Sequence, residues 1–181
     1  MVFLRIIVGE VFNFADESGE KWRKRPQISK IFSYSMMSFI GKIECKLDSK
    51  GRVFIPAPFR KILQQRGVEG LVIKKDTDNP YLTIYPMDVW EAKLSDLKSR
   101  LNEWEAEERM ALIQYVADAM PLEMDSQGRV LLQKKWTDVI GVKEELLFVG
   151  GIDTITIWSK ERFEEGMLNT DTFRKIISAK S

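Results

Sequence analysis

The sequence has no histidine and a single cysteine, Cys45, among its 181 residues. Catalytic schemes that need a histidine base are therefore excluded, as are metal sites built from imidazole or from paired thiolates. A disulfide within the chain is also excluded, and this cysteine usage is typical of a reducing cytosol. Cys45 alternates with charged neighbours, so we interpret it as a core residue and not as a nucleophile.

Motifs that bind nucleotide phosphates are missing as well, since the sequence has neither a Gly-x-x-x-x-Gly-Lys-Ser/Thr loop nor a glycine-rich dinucleotide turn. A run of carboxylates occurs in a predicted helix, and we interpret it as a solvated acidic face. Its members are Glu103, Glu105, Glu107 and Glu108. We therefore predict that the protein is not an enzyme and that it uses no cofactor, no metal and no small-molecule substrate.

Long hydrophobic runs are scarce. The apolar stretch at residues 1–14 is interrupted by Arg5, Gly9 and Glu10, and it is shorter than the roughly 20 residues that span a bilayer. It also lacks the order of a secretory signal. With 44% hydrophobic and 30% charged residues, we expect a soluble protein without membrane contact. Residues 1–36 are expected to form an extra segment, either disordered or produced by a mis-set translation start.

Charge of one sign does not dominate, because 28 Lys and Arg against 27 Asp and Glu give a net charge of +1. The charges are nevertheless segregated along the chain. Residues 42–66 carry seven cations and two anions, a net charge of +5, whereas residues 87–109 carry four cations and seven anions, a net charge of −3. The basic segment is a candidate surface for a polyanionic partner.

What the chain does contain is an internal repeat. Residues 47–56 read LDSKGRVFIP and residues 124–133 read MDSQGRVLLQ, with Asp, Ser, Gly, Arg and Val in register at an offset of 77. An apolar face with helical spacing follows both segments. It consists of Phe59, Ile62 and Leu63 in the first copy and of Trp136, Val139 and Ile140 in the second.

Each copy is predicted to fold as strand, turn, strand, short helix, strand, strand. In the first turn, Asp48 can bond the backbone two residues on, and Gly51 can adopt the positive φ of a tight turn. The predicted strands are residues 43–47, 53–55, 71–73 and 82–85 in the first copy, and residues 122–124, 130–132, 146–149 and 154–158 in the second.

A helical tract is predicted between the copies. Large apolar residues recur there at alternating spacings of four and three, and they are Trp90, Leu94, Leu97, Leu101 and Trp104. A second helix is predicted from about Met110 to before Pro121. This apolar face fits a helix of another subunit or the body of the same chain, and residues 159–177 are expected to mirror the first part of the tract.

The doubled Asp-x-Lys/Gln-Gly-Arg turn, with Ile55-Pro56 after the first copy and a helical tract between the copies, resembles the MraZ family of bacterial transcriptional regulators. These are tandem members of the AbrB-like swapped-hairpin superfamily, and the resemblance runs from about Ser38 to about Glu165. It implies an α+β, mainly β fold in which two swapped-hairpin units form one pseudo-twofold barrel with helices after each unit. The expected organisation is an extra segment at 1–36, a first unit at 38–86, a helical tract at 87–119, a second unit at 120–158, and a C-terminal helix and tail at 159–181.

The resemblance also implies a function. Such a protein would be a cytoplasmic, nucleoid-associated, ring-like homo-oligomer that binds double-stranded promoter DNA at short direct repeats. It would regulate the cell division and cell wall gene cluster, including its own gene. The family's DNA-contacting loop maps onto two sets of residues, which are Asp48, Lys50, Gly51 and Arg52 in the first copy and Asp125, Gln127, Gly128 and Arg129 in the second.

The side-chain chemistry agrees with this assignment. Arg52 can present a bidentate fork to guanine or to a phosphate, and Lys50 is better suited to a phosphate. The predicted DNA-binding residues are Lys50, Arg52, Arg60, Lys61, Gln127 and Arg129, and the predicted turn-forming residues are Asp48, Gly51, Asp125 and Gly128. The alternative for Arg52 is an ion pair with Asp48 that fixes the turn. The alternative function is a ring-forming protein-interaction module without specific DNA binding.

Overall fold

The computed structural model describes residues 37–179, so the expected N-terminal segment at residues 1–36 lies outside the described residues. Strands and helices both follow the repeat, and the expected mixed α+β class is confirmed. The eight strands in this range are β1 (Lys42–Lys46), β2 (Arg52–Phe54), β3 (Leu71–Lys75), β4 (Leu82–Pro86), β5 (Ala119–Leu122), β6 (Arg129–Leu131), β7 (Glu145–Gly151) and β8 (Thr154–Trp158). The six helices in this range are α1 (Ala57–Gln65), α2 (Met87–Arg100), α3 (Ala106–Ala117), α4 (Lys134–Ile140), α5 (Lys160–Gly166) and α6 (Thr170–Ser178).

Six strands form one antiparallel sheet in the order β1-β7-β8-β4-β3-β5, and β2 pairs with β6 in a separate two-stranded sheet. We call the β2–β6 pair the ribbon. The two strands on either side of each Asp-x-Lys/Gln-Gly-Arg turn therefore belong to different sheets. Along the large sheet, β1 of the first copy lies beside β7 of the second, and β5 of the second lies beside β3 of the first.

The strand register relates the two copies to each other. In the ribbon, Val53 pairs with Val130, the residue at the same position of the second copy. In the large sheet, Thr83 pairs with Thr156, which is again its own counterpart. When two antiparallel strands pair at equivalent residues of the two copies, a local twofold axis relates them. Here the axis passes through the Val53–Val130 and Thr83–Thr156 pairs.

The core lies between the two sheets and the short helices, and both copies contribute to it. Strand alternation turns Val53 and Val130 inward, and Phe39 packs edge-on against Phe59 with ring centroids 5.6 Å apart. The predicted apolar helix faces are confirmed, because Phe59, Leu63, Trp136 and Ile140 are buried and both Ile62 and Val139 pack against them. Cys45 also packs against this core, and burial raises the pKa of its thiol.

The helical tract departs from the prediction of one continuous apolar face. Helix α2 ends at Arg100 because Leu101 adopts an extended backbone, and Trp104 lies beyond the helix with 92% of its surface exposed. Only the first part of the face docks on the body of the chain. The Trp90 ring is buried, and it stacks on Tyr115 of α3 with the ring centroids 5.9 Å apart.

Helix α3 ends at Ala117, and the strand predicted at residues 122–124 begins earlier, at Ala119. Pro121 lies inside β5, where a residue without an N–H group is tolerated because β5 is an edge strand. Met124 only forms an isolated bridge with Val130. The C-terminal segment, expected as one helix followed by a tail, forms two short helices, α5 and α6.

Candidate nucleic-acid interface

The first loop, residues 47–51, is closed by one carboxylate. Asp48 Oδ1 accepts hydrogen bonds from the backbone N–H groups of Lys50 and Arg52, each at 2.9 Å. Asp48 Oδ2 accepts from Arg52 Nε at 2.7 Å and lies 2.6 Å from Nη2 of the same guanidinium. Gly51, with φ +77°, donates its N–H to the Asp48 carbonyl at 2.9 Å. The turn-forming roles predicted for Asp48 and Gly51 correspond to these contacts.

The second loop, residues 123–128, repeats this arrangement. Asp125 Oδ1 accepts from the backbone N–H groups of Gln127 and Arg129, each at 2.9 Å, and Oδ2 accepts from Arg129 Nε at 2.8 Å. Gly128, with φ +85°, donates to the Asp125 carbonyl at 2.9 Å. Two distant stretches of sequence thus build the same clamp between an aspartate and an arginine.

The clamps change the electrostatics of both aspartates. The guanidinium of Arg52 and two backbone N–H groups lower the pKa of Asp48 from 3.8 to about 2. Backbone and guanidinium hydrogen bonds from Arg129 lower the pKa of Asp125 in the same way. The ion pair considered as the alternative for Arg52 is therefore present. It engages Nε and Nη2, and about a third of the Arg52 side chain remains accessible.

The two loops lie at opposite ends of the ribbon. Gly51 O accepts from Leu132 N at 2.9 Å, and Gly128 O accepts from Ile55 N at 3.0 Å. Because β2 and β6 are antiparallel, four residue steps separate the first loop from the second, or roughly 13 Å at the rise of a strand. Lys50 and Gln127, which are exposed and occupy equivalent positions of the two loops, therefore stand at the two ends of the ribbon.

Arg60 has a structural role in this arrangement. Its Nη1 donates to the Gln127 carbonyl at 3.2 Å, so α1 of the first copy braces the loop of the second copy. A Cβ atom on Gly128 would collide with this guanidinium. The counterpart of Arg60 in the second copy is Thr137, and the first loop consequently lacks an arginine in the same place. Lys61, one residue on, is exposed on the outer side of α1.

Sequence reasoning did not select two other features of this surface. Phe54 and Leu131 point outward from the ribbon and are 51% and 53% exposed. Lys134 and Lys135, at the start of α4, are exposed and follow β6 after two residues. Successive side chains of a strand point to opposite faces, so the burial of Val53 and Val130 would have placed their neighbours Phe54 and Leu131 on the outer face.

Over residues 37–179, no group of three or more histidine, cysteine or carboxylate side chains is placed to hold a metal ion. Within the same range, the helices are too short or too polar to cross a membrane. The exposed side chains of the ribbon and its loops include the cation Lys50, the amide Gln127 and the apolar Phe54 and Leu131, and the second loop also exposes Glu123, Met124 and Asp125.

Comparison with known proteins decides the family. The family model described as "MraZ protein, putative antitoxin-like" matches residues 38–114 and residues 116–173, which together make up most of the chain. The chain belongs to the MraZ family. The match falls on the two copies of the repeat, and the residues of both loops lie within it.

Relatives from the MraZ family carry the same name in several bacteria. The transcriptional regulator MraZ of Bacteroides thetaiotaomicron is 40% identical over 138 residues, which cover 76% of this chain and 88% of that protein. The transcriptional regulator MraZ of Phocaeicola vulgatus is 38% identical over 77% of this chain and 90% of that protein. The MraZ of Thermoanaerobacter pseudethanolicus is 36% identical over 73% and 88%. MraZ proteins are thus named as transcriptional regulators and not as enzymes, which confirms the expected class of function.

Proposed function

We propose that the protein is a sequence-specific DNA-binding regulator that acts on promoter DNA containing short direct repeats. Its targets would be the cell division and cell wall gene cluster, including its own gene, and it would act in the cytoplasm in association with the nucleoid. The observation that carries this proposal is the repeated aspartate–arginine clamp, which fixes two equivalent loops at the two ends of one exposed ribbon.

The dimensions of the ribbon suit the DNA major groove. That groove is about 12 Å wide and admits a two-stranded ribbon. Loops separated by roughly 13 Å would each reach the phosphate backbone on one side of the groove while the ribbon faces the base edges. Lys50 would contact a phosphate at one end, and Gln127 would offer an amide at the other.

Arg52 and Arg129 would face the base edges or the inner phosphates. Each clamp fixes one edge of the guanidinium, so little conformational entropy remains to be lost when the other edge binds DNA. Lys61 would add a phosphate contact beside the ribbon. Arg60 would act by holding the second loop in place, together with the turn-forming Asp48, Gly51, Asp125 and Gly128.

The fold proposed for this function is a pair of swapped-hairpin units, residues 38–86 and 120–158, that form one pseudo-twofold barrel. Support comes from the self-equivalent pairs Val53–Val130 and Thr83–Thr156 and from the exchange of β1 and β5 between the copies. The separate matches of the family model to both halves agree with this division. The helical tract and the C-terminal helices would lie outside the barrel.

A ring-like homo-oligomer is also part of the proposal. Helix α6 exposes Phe173 and Ile176 on one apolar face and carries Arg174 and Lys175. The α2–α3 connection presents a groove of about 310 Å³ lined by apolar and acidic side chains. Its lining residues are Leu101, Glu103, Trp104, Glu108, Arg109, Leu112 and Ile113. A basic amphipathic helix of one subunit in the acidic groove of the next would give a head-to-tail contact that can close into a ring.

The test is a fluorescence-anisotropy titration of the full chain on its own upstream DNA and on a scrambled duplex, at two salt concentrations. Lys50→Ala removes an exposed loop cation, and Lys93→Ala, which removes an exposed cation from α2, is the matched control. Arg52→Ala is included with a thermal melt, because this arginine also closes the first loop. We expect Lys50→Ala to lower the salt slope by roughly one for each bound subunit, and Lys93→Ala to leave it unchanged.

Tight binding to the upstream DNA alone, weakened by salt, supports the regulator. Equal binding to both duplexes, or no binding while mass photometry shows an intact oligomer, would remove this function and leave the protein-interaction module. A preserved salt slope in Lys50→Ala would show that the first loop does not contact phosphate.

A further inference from the structure

The outer face of the ribbon carries an unusual set of four side chains. Arg52 pairs with Leu131, and Phe54 pairs with Arg129, so each strand of the ribbon presents one cation and one large apolar side chain, each opposite the other kind. About half of the Phe54 and Leu131 side chains is exposed, although each strand has only three residues. A single exposed apolar residue needs no explanation, but two on one small exposed strip between fixed arginines mark a contact surface.

The position of Phe54 is held by its neighbour. The guanidinium carbon of Arg129 lies 5.9 Å from the centroid of the Phe54 ring, and the same guanidinium is bound by Asp125. The clamp of the second loop therefore fixes an aromatic ring as well as a cation. The ring remains half exposed because the arginine covers only part of it.

The charge around this face points to the occupant. Residues 48–61 carry four cations and one anion, and residues 123–135 carry three cations and two anions, which gives these two segments a net charge of +4 in a chain of net charge +1. Such a concentration disfavours contact with the same face of a second copy, which would bring the same positive charge, and it favours a polyanion. A DNA duplex offers phosphates to the cations at the rim and base edges to the middle of the ribbon.

We propose that Phe54 and Leu131 recognise thymine by packing against its C5-methyl group in the major groove. This inference rests on the proposed function and assigns to these two residues the sequence preference of the ribbon. Among the four bases only thymine presents a methyl group there, and apolar side chains are its natural partners. Arg52 and Phe54 are two residues apart on one strand face, a spacing of roughly 7 Å, so both side chains fall within the groove width of about 12 Å when the loops lie at its two sides.

The test compares two forms of the same upstream DNA, one made with thymine and one with uracil, which removes only the C5-methyl group. We expect the wild-type chain to bind the uracil duplex about fourfold more weakly for each methyl contacted, as the burial of one methyl-sized group implies. The double variant Phe54→Ala, Leu131→Ala is expected to bind both duplexes equally. The control is Ile40→Ala, which removes a 70% exposed aliphatic side chain outside the ribbon and should keep the discrimination of the wild type.

The outcomes separate this inference from the function on which it rests. Specific binding with equal affinity for thymine and uracil DNA overturns the methyl contact and leaves the regulator intact. Discrimination that persists in the double variant also overturns it, because the methyl is then read elsewhere. A double variant that changes oligomeric state in mass photometry while keeping discrimination assigns the face to subunit contact. Failure of the wild type to bind either duplex removes the regulator itself.

Discussion

At the scale of single residues, the aspartate of each loop holds the turn closed with its own side chain. One carboxylate satisfies two backbone N–H groups and orients an arginine four residues on. Asp48 cannot do this when it is protonated, because the neutral acid loses both the charge and part of its acceptor capacity. Loop order is therefore linked to the ionisation of this group.

This linkage predicts a specific response to acid. The pKa of Asp48 is about 2 in the folded chain and 3.8 without these contacts. Because the folded value is the lower one, its contribution to stability is complete above pH about 4 and is lost as the pH falls towards 2. We expect the melting temperature of the wild type to fall more steeply over this window than that of Asp48→Asn, whose amide oxygen keeps the backbone contacts without the charge. Parallel thermal melts from pH 5 to pH 2 measure this, and identical slopes would exclude the clamp as a source of stability.

The residues of the loops were predictable from the sequence because their causes are local. An aspartate that bonds the backbone two residues on and a glycine at positive φ need no distant partner, and both occur in each loop as expected. Arg60 illustrates the opposite case. Its contact with the Gln127 carbonyl joins residues 67 positions apart, so no local pattern distinguishes it from a cation that binds DNA.

At the scale of elements, features with local causes were again predictable, and contacts between distant parts of the chain were not. The apolar spacing of α1 and α4 and the alternation of β2 and β6 predicted which faces are buried. The partners of these strands were not predictable from local pattern, since β1 pairs with a strand about a hundred residues away. The spacing from Trp90 to Trp104 was misleading, because the chain becomes extended at Leu101 and a second helix returns over the first.

Helix α3 contacts the body of the chain through the aromatic side chain of Tyr115. Tyr115 stacks on Trp90, and the ammonium of the buried Lys74 lies 4.5 Å from the centroid of the Tyr115 ring. We expect Tyr115→Ala to lower the free energy of unfolding by about 2 kcal/mol, less than for a fully buried ring, because this side chain is only partly covered. Met110→Ala, on the exposed side of the same helix, is expected to change it by less than about 0.5 kcal/mol. Urea denaturation measures both, and equal effects would show that α3 does not dock through Tyr115.

At the scale of the whole molecule, every strand except β3, β4, β7 and β8 depends entirely on the other copy for its pairing partner. After separation, residues 37–102 retain only the β3–β4 pair, because β1 pairs with β7 and β2 pairs with β6. The second half retains only β7–β8. An isolated pair of strands is at best marginally stable, and the core would lose the side chains of the other copy. The fold is therefore a property of both copies together.

A chain divided between Asn102 and Glu103, in the connection from α2 to α3, tests this dependence. Each fragment alone is expected to lack a cooperative thermal transition as a monomer, and an equimolar mixture is expected to recover one transition and the circular dichroism of the intact chain. Val53 pairs with its own equivalent, so the first fragment can also pair with a second copy of itself. That species differs from an autonomous unit because its melting temperature rises with concentration. A monomeric fragment with a concentration-independent transition would show that one copy folds alone, and the strand exchange would then be a consequence of joining two stable units rather than the source of their stability.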